Sequence, residues 1–111
     1  MEISESKQRD VVIVRVKGRL DASNSSVLES KLLALIDGGT QRLVVDCAPL
    51  EYISSAGLRV LLVAAKRIKN ADGEIGLAAL QDAIKEVFDI AGFSSIFGMH
   101  DSVDAAVAAL Q

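Results

Sequence analysis

The chain has 111 residues, half of them apolar, with a net charge of −3 and a positive mean hydropathy. That is enough chain to build one domain, read here as residues 1–111, around its own core. Its single cysteine, Cys47, excludes an internal disulfide and agrees with a reducing compartment. No basic stripe with interleaved aromatics marks a nucleic-acid partner. The longest apolar run, Leu58 to Ala65, is broken by Arg59 and falls far short of the ~20 residues of a membrane span. Met1 to Ser6 lacks the basic start and apolar centre of a signal peptide, so a soluble cytoplasmic protein is expected.

No linker, repeat or low-complexity tract interrupts the sequence, and Pro49 is the only proline. Val11 to Val16 alternates and is rich in β-branched residues, which predicts a strand. Ile3 marks a short partner strand, with Gln8-Arg9-Asp10 as the turn between them. Ser23, Asn24 and Ser25 offer N-caps for a helix from Ser25 to Ile36. Its inward side is read as Val27, Leu28, Leu32, Leu35 and Ile36, and Gly38-Gly39 stops it. Arg42 to Asp46 has a continuous apolar centre, the pattern of an interior strand covered on both faces.

A short loop leads to the serine pair Ser54-Ser55 and a second helix, Ser55 to Lys69, ended by Asp72-Gly73. Leu58, Leu61, Leu62, Ala65 and Ile68 give that helix its inward face. Val60, Val63 and Ala64 either widen the core contact or form an exposed apolar edge. Ile75 to Leu80 predicts another strand. Gln81-Asp82 opens a third helix packed through Ile84, Val87, Phe88 and Ala91, and Gly92 terminates it. Ser95 to Met99 is a final edge strand, and Asp101-Ser102 caps a last helix with Val103, Ala106, Val107 and Leu110 inward. Strands alternating with helices imply an α/β fold: a mixed, mostly parallel sheet of four or five strands with about four helices. Functional loops then gather beyond the carboxyl ends of the strands, where Asp21, Asp46, Ser54 and Ser55 all fall.

The chemistry concentrates in Ser54-Ser55-Ala56-Gly57-Leu58. A serine at a helix N-terminus sits where backbone N–H groups and the helix dipole favour negative charge, which suits a phosphoryl group. The plain alternative is that the serines only cap the helix. Ala56 and Gly57 are small, which lets another active site approach closely, and a glycine in the first turn costs roughly 0.5–1 kcal/mol relative to alanine. Asp21 is read either as a partner contact beside the site or as a turn residue. Asp46 is read as orienting its loop. Cys47 is read as a small buried hydrophobe. His100, the sole histidine, is placed at a cap or loop without chemistry. No metal-ligand spacing, Walker A sequence or dinucleotide glycine fingerprint is present, and no cofactor is expected.

Val44-Val45-Asp46 followed by Tyr52-Ile53-Ser54-Ser55-Ala56-Gly57-Leu58-Arg59-Val60-Leu61-Leu62 resembles the signature of STAS domains, among them the single-domain bacterial anti-sigma factor antagonists. Gly18-Arg19-Leu20-Asp21 resembles their first-loop motif. The resemblance spans essentially the whole chain. It implies a non-enzymatic partner-switching module. Unphosphorylated, such a module binds an anti-sigma factor that is also a GHKL-type serine kinase. Phosphorylation ends the interaction, and a PP2C-type serine phosphatase resets it. The familiar motif is Asp-Ser-Ser-Gly-Leu with its first serine modified. Matching Gly57 and Leu58 puts Ser55 on the modified position, Ala56 on the second serine and Ser54 on the aspartate, leaving Ser54 as a rival acceptor. The resemblance thus implies partner contact by Asp21, Ser54, Ser55, Ala56, Gly57, Leu58 and Arg59. Two other readings stay open: a STAS docking subunit of a lipid-transport or stress-signalling assembly without a phosphorylation cycle, and an enzyme with Ser55 as nucleophile, for which no general base is apparent. A monomer is expected, since no long heptad or swapped arm is visible.

Overall fold

The computed structural model describes Met1–Gln111 and contains six strands and four helices. In chain order these are β1 (Glu2–Gln8), β2 (Val11–Leu20), α1 (Ser25–Asp37), β3 (Arg42–Asp46), β4 (Leu50–Ile53), α2 (Ser55–Asn70), β5 (Glu74–Ala78), α3 (Asp82–Ile90), β6 (Gly98–His100) and α4 (Val103–Ala109). The sheet runs β1-β2-β3-β5-β6, with β4 attached to β2 off that path. β1 is antiparallel to β2, and every other pairing is parallel. The hairpin turn is tight because Arg9 takes a left-handed conformation, φ 58°.

Alternation along β2 sorts its side chains onto the two faces of the sheet. Val14, Val16 and Leu20 enter the main core with Leu28 and Leu32 of α1, Leu61 and Ile68 of α2, and Phe88 of α3. Val11 and Ile13 join Val44, Ala78, Ala106, Val107 and Leu110 in a second core roofed by α4. Leu43, Val44 and Val45 are at most 1% exposed, so β3 is the two-sided interior strand its apolar run predicts. Phe88 meets Phe97 edge-to-face at 5.9 Å, and Phe97 anchors the segment between α3 and β6.

Several local readings change in three dimensions. The strand count is six because Leu50–Ile53, read as loop, forms β4. On α1, Leu28, Leu32 and Ile36 are buried, but Val27 is 58% exposed and faces solvent. On α2, Val60 and Ala64 are buried, so they do not form an exposed edge; the helix packs against both the sheet and α1, and needs a wide apolar arc. Ala91 is exposed beyond the end of α3. β5 ends at Ala78, because Ala79 turns out of the strand with φ 59°. β6 lies later than Ser95 to Met99 and includes His100, which is therefore a strand residue. Its ring lies beside the paired glycines Gly76 and Gly98, and a Cβ on Gly98 would come within 3.1 Å of its Nε2.

Candidate functional site

The parallel ends of β2 and β4 bring the site together. Leu20 pairs with Ile53, and the Ser54 N–H donates to the Leu20 carbonyl at 2.9 Å. Ser54 then leaves the strand with extended backbone (φ −92°, ψ 174°) and becomes the N-cap of α2. Its Oγ accepts from the Gly57 N–H at 3.2 Å, and its carbonyl accepts from the Leu58 N–H at 3.0 Å. Ser54 is thereby committed to starting the helix. Ser55 is the first helical residue, is exposed, and makes no side-chain hydrogen bond within the protein. The two serines thus have different environments: one hydroxyl is engaged, the other is free.

Gly57 has a reason unlike the one its size suggested. It is buried, and a Cβ there would lie 2.8 Å from Leu20 Cγ and 2.9 Å from Ile53 Cγ1. Its absent side chain lets α2 sit down on the β2–β4 pair; it does not clear an approach from outside. Leu58 is likewise buried, with 8% of its surface exposed. Both residues are buried in the free chain and hold the serines in place from within. Ala56 is half-buried and Arg59 exposed. The first turn of α2 contains no acidic residue, so no carboxylate of that turn offsets its positive dipole end.

Asp21 builds the adjoining β2–α1 loop. Its Oδ1 accepts from the Ser23 hydroxyl at 2.6 Å and the Ser23 N–H at 3.0 Å, while its own N–H donates to Asn24 Oδ1 at 2.9 Å. Those bonds from Ser23, with smaller help from the Arg19 charge, hold the Asp21 carboxyl below the usual carboxylate range. Asp21 makes no hydrogen bond to Ser54 or Ser55; it shapes the neighbouring loop. Asp46 accepts from the Ala48 N–H at 3.1 Å, the loop-orienting role expected of it. Cys47 is buried under that loop, and desolvation, with the Asp46 charge adding to it, pushes its thiol up to about 12.

One pair beside the serines was not singled out by sequence. The Arg19 guanidinium lies 4.1 Å from the centroid of the Tyr52 ring. A bulge produces it: Gly18 pairs with Leu50, the next pair is Arg19 with Tyr52, and Glu51 is left over. The extra residue reverses the alternation, so that Leu50 and Ile53 both point inward and Tyr52 is turned out onto the Arg19 face. The inward residues' spacing of three, which breaks strand periodicity, was the available signal.

Comparison with known proteins agrees with this fold. The STAS domain family model matches residues 2–106. BtrV of Bordetella bronchiseptica, assigned as an anti-sigma factor antagonist, is 40% identical over 111 residues, covering 100% of this chain and 96% of its own. Among solved structures, the Thermotoga maritima protein TM1081, assigned to the same class, superposes with a TM-score of 0.92 at 18% identity over 97% of this chain and 93% of its own. The Bacillus cell fate determinant SpoIIAA in its phosphorylated form gives a TM-score of 0.78 at 18% identity over 99% of this chain and 100% of its own. With the family model spanning both the β2 end and the start of α2, the chain belongs to the STAS domain family of anti-sigma factor antagonists, regulatory proteins without enzymatic activity of their own.

Proposed function

We propose that this chain is a partner-switching anti-sigma factor antagonist controlled by phosphorylation of Ser55. In its unphosphorylated form it binds an anti-sigma factor that is also a GHKL-type serine kinase, and so frees that factor's client. The kinase esterifies Ser55, binding ends, and a PP2C-type phosphatase restores the hydroxyl. The chain acts in the cytoplasm as a monomer. The observation that carries this reading is the split between the serines: Ser54 Oγ is engaged by the Gly57 N–H while Ser55 is exposed and unbonded. Similarity to BtrV supports the class of partner, and a phosphorylated form of SpoIIAA supports the chemistry.

The energetics suit a switch. A phosphoryl group adds about −1.5 to −2 charge at pH 7. At the start of α2 the helix dipole offsets that charge by about 0.3–1 kcal/mol, so the domain stays folded. Within a docked interface the same charge is desolvated and costs several kcal/mol if unpaired, and each 1.4 kcal/mol is about tenfold in affinity. The direct test is incubation with the cognate kinase and ATP, followed by peptide mass mapping. A single added phosphate on Ser55, absent in Ser55→Ala, is expected. An unmodified Ser54–Arg59 peptide, or phosphate on Ser54 alone, would refute the assignment.

A further inference from the structure

The face of β2 that α4 leaves uncovered carries a row of cations. Val11 and Ile13 on this face are roofed by α4, but Arg15, Lys17 and Arg19, at every second position after them, are exposed. Residues two apart on a strand are about 6.6 Å apart, so the row runs toward the Ser55 end of the molecule. Lys17 lies 4.0 Å from Glu2, whereas neither arginine is in any ion pair. Asp46 stands opposite Arg15 in the β2–β3 register and the Arg19 charge reaches Asp21, but neither carboxylate closes an ion pair with an arginine. The strand supplies a basic row with an adjacent aromatic, which the linear sequence does not display because Tyr52 arrives from β4.

Arg19 is the member that the fold prepares. Its guanidinium is stacked on Tyr52, an arrangement that the bulge at Glu51 creates. Gly18, with φ +95°, provides the left-handed step just before it. Stacking restrains the long side chain, yet leaves the N–H fork without a side-chain hydrogen bond or ion pair. An arginine held this way is suited to bidentate capture of a carboxylate. Arginine and tyrosine are also over-represented among residues that dominate interface energetics. Tyr52 and Ser55 are three residues apart, at most about 10 Å of chain. A standard interface of about 800 Å² per partner is roughly 30 Å across. A partner footprint centred on Ser55 is wide enough to take in Arg19 at the shared β2–β4 end.

We infer that the Arg19–Tyr52 pair is an anchor of the partner interface, and that it receives a carboxylate from an acidic segment of the anti-sigma factor. This rests on the partner-switching reading above and deepens it. A phosphoryl group on Ser55 then acts twice: it repels the partner's carboxylate, and it competes for the same cationic end of the sheet.

The test measures affinity for the purified cognate anti-sigma factor at two salt concentrations. Arg19→Ala is expected to weaken binding about tenfold or more and to flatten its dependence on ionic strength. Arg19→Glu should weaken it further, and Arg19→Lys, which keeps the charge but loses the planar fork, should fall between Arg19→Ala and wild type. Lys69→Glu, the same change of charge at the far end of α2, should bind within about twofold of wild type, a margin of some 0.4 kcal/mol. Circular dichroism confirms folding of each exposed-site variant. If Arg19→Ala and Arg19→Glu bind like wild type, or Lys69→Glu is as damaging as Arg19→Glu, the anchor is refuted while the switch survives. If the wild type itself does not bind the anti-sigma factor, both readings fall together.

Discussion

Two helices of this molecule begin in nearly the same way. Ser54 caps α2 by accepting from the Gly57 N–H at 3.2 Å, and Ser102 caps α4 by accepting from the Ala105 N–H at 3.1 Å. What surrounds the caps is different. α4 already has an acid, Asp104, in its first turn; α2 has none, and an exposed hydroxyl stands there instead. α2 is also seated on the β2–β4 pair through a glycine with no room for a Cβ, whereas Ser102 and Asp104 lie on the surface. A serine cap is therefore a structural commonplace. An open positive helix end, with a free hydroxyl one residue later and a rigid platform beneath, is the uncommon combination.

The largest effect that separates the two ends is expected from Ser55→Glu. Affinity for the cognate anti-sigma factor should drop at least about a hundredfold, near 2.7 kcal/mol, while urea unfolding shows stability unchanged or raised by up to about 1 kcal/mol through the dipole. A change of Ala105 to Glu, the matching first-turn charge on α4, should leave the affinity alone. Next comes the platform. Gly57→Ala should gain about 0.5–1 kcal/mol of helix propensity but lose about 1–3 kcal/mol to overpacking against Leu20 and Ile53. A net loss of about 1–2 kcal/mol, read as a lower urea midpoint, is the expected balance of these terms. Third, Ser54→Ala and Ser102→Ala should each cost about 1 kcal/mol of stability, but only the first should slow phosphorylation of Ser55 by the kinase. Equal kinetics in the two variants would show that the Ser54 cap does not serve the site.

The smallest effect at neutral pH concerns Cys47. Its folded pKa is raised from 9.0 to about 12, so folding keeps a proton that the unfolded chain releases. Below the unfolded value the thiol is neutral in both states and contributes no pH dependence. As pH climbs from that value toward about 12, the unfolded state is progressively favoured and stability falls. Urea midpoints at pH 8 and pH 10 should diverge in the wild type and diverge less in Cys47→Ala. In the folded protein at neutral pH the thiol should resist alkylation, since it is only 1% exposed.

Much of the fold is written locally. The β-branched run Val11–Val16, the apolar centre of Arg42–Asp46, the glycine stop after α1 and the serine starts of α2 and α4 all appear as residue types at fixed spacings, because capping and periodicity act over a turn or a strand. The same local physics places a serine pair at a helix start and a carboxylate at the loop beside it. The choice between core contact and exposed edge for Val60 and Ala64 was settled only where one helix met several neighbours at once, and the reading of Val27 went astray because a side chain outside the packed stripe stayed in solvent.

Tertiary structure alone decided which serine is occupied by the cap, why Gly57 must be a glycine, and that Tyr52 stacks on Arg19. Each of these depends on a second segment far along the chain: Leu20 receives the Ser54 N–H, Leu20 and Ile53 leave no space for a Cβ, and the bulge in β4 is defined only by its register against β2. Sequence therefore determined the elements and the kind of chemistry at their ends, because those follow from bonds and sterics between near neighbours. Pairing and packing determined which hydroxyl is free and which cation stands beside it, because a single leftover residue in a strand reverses every side chain that follows.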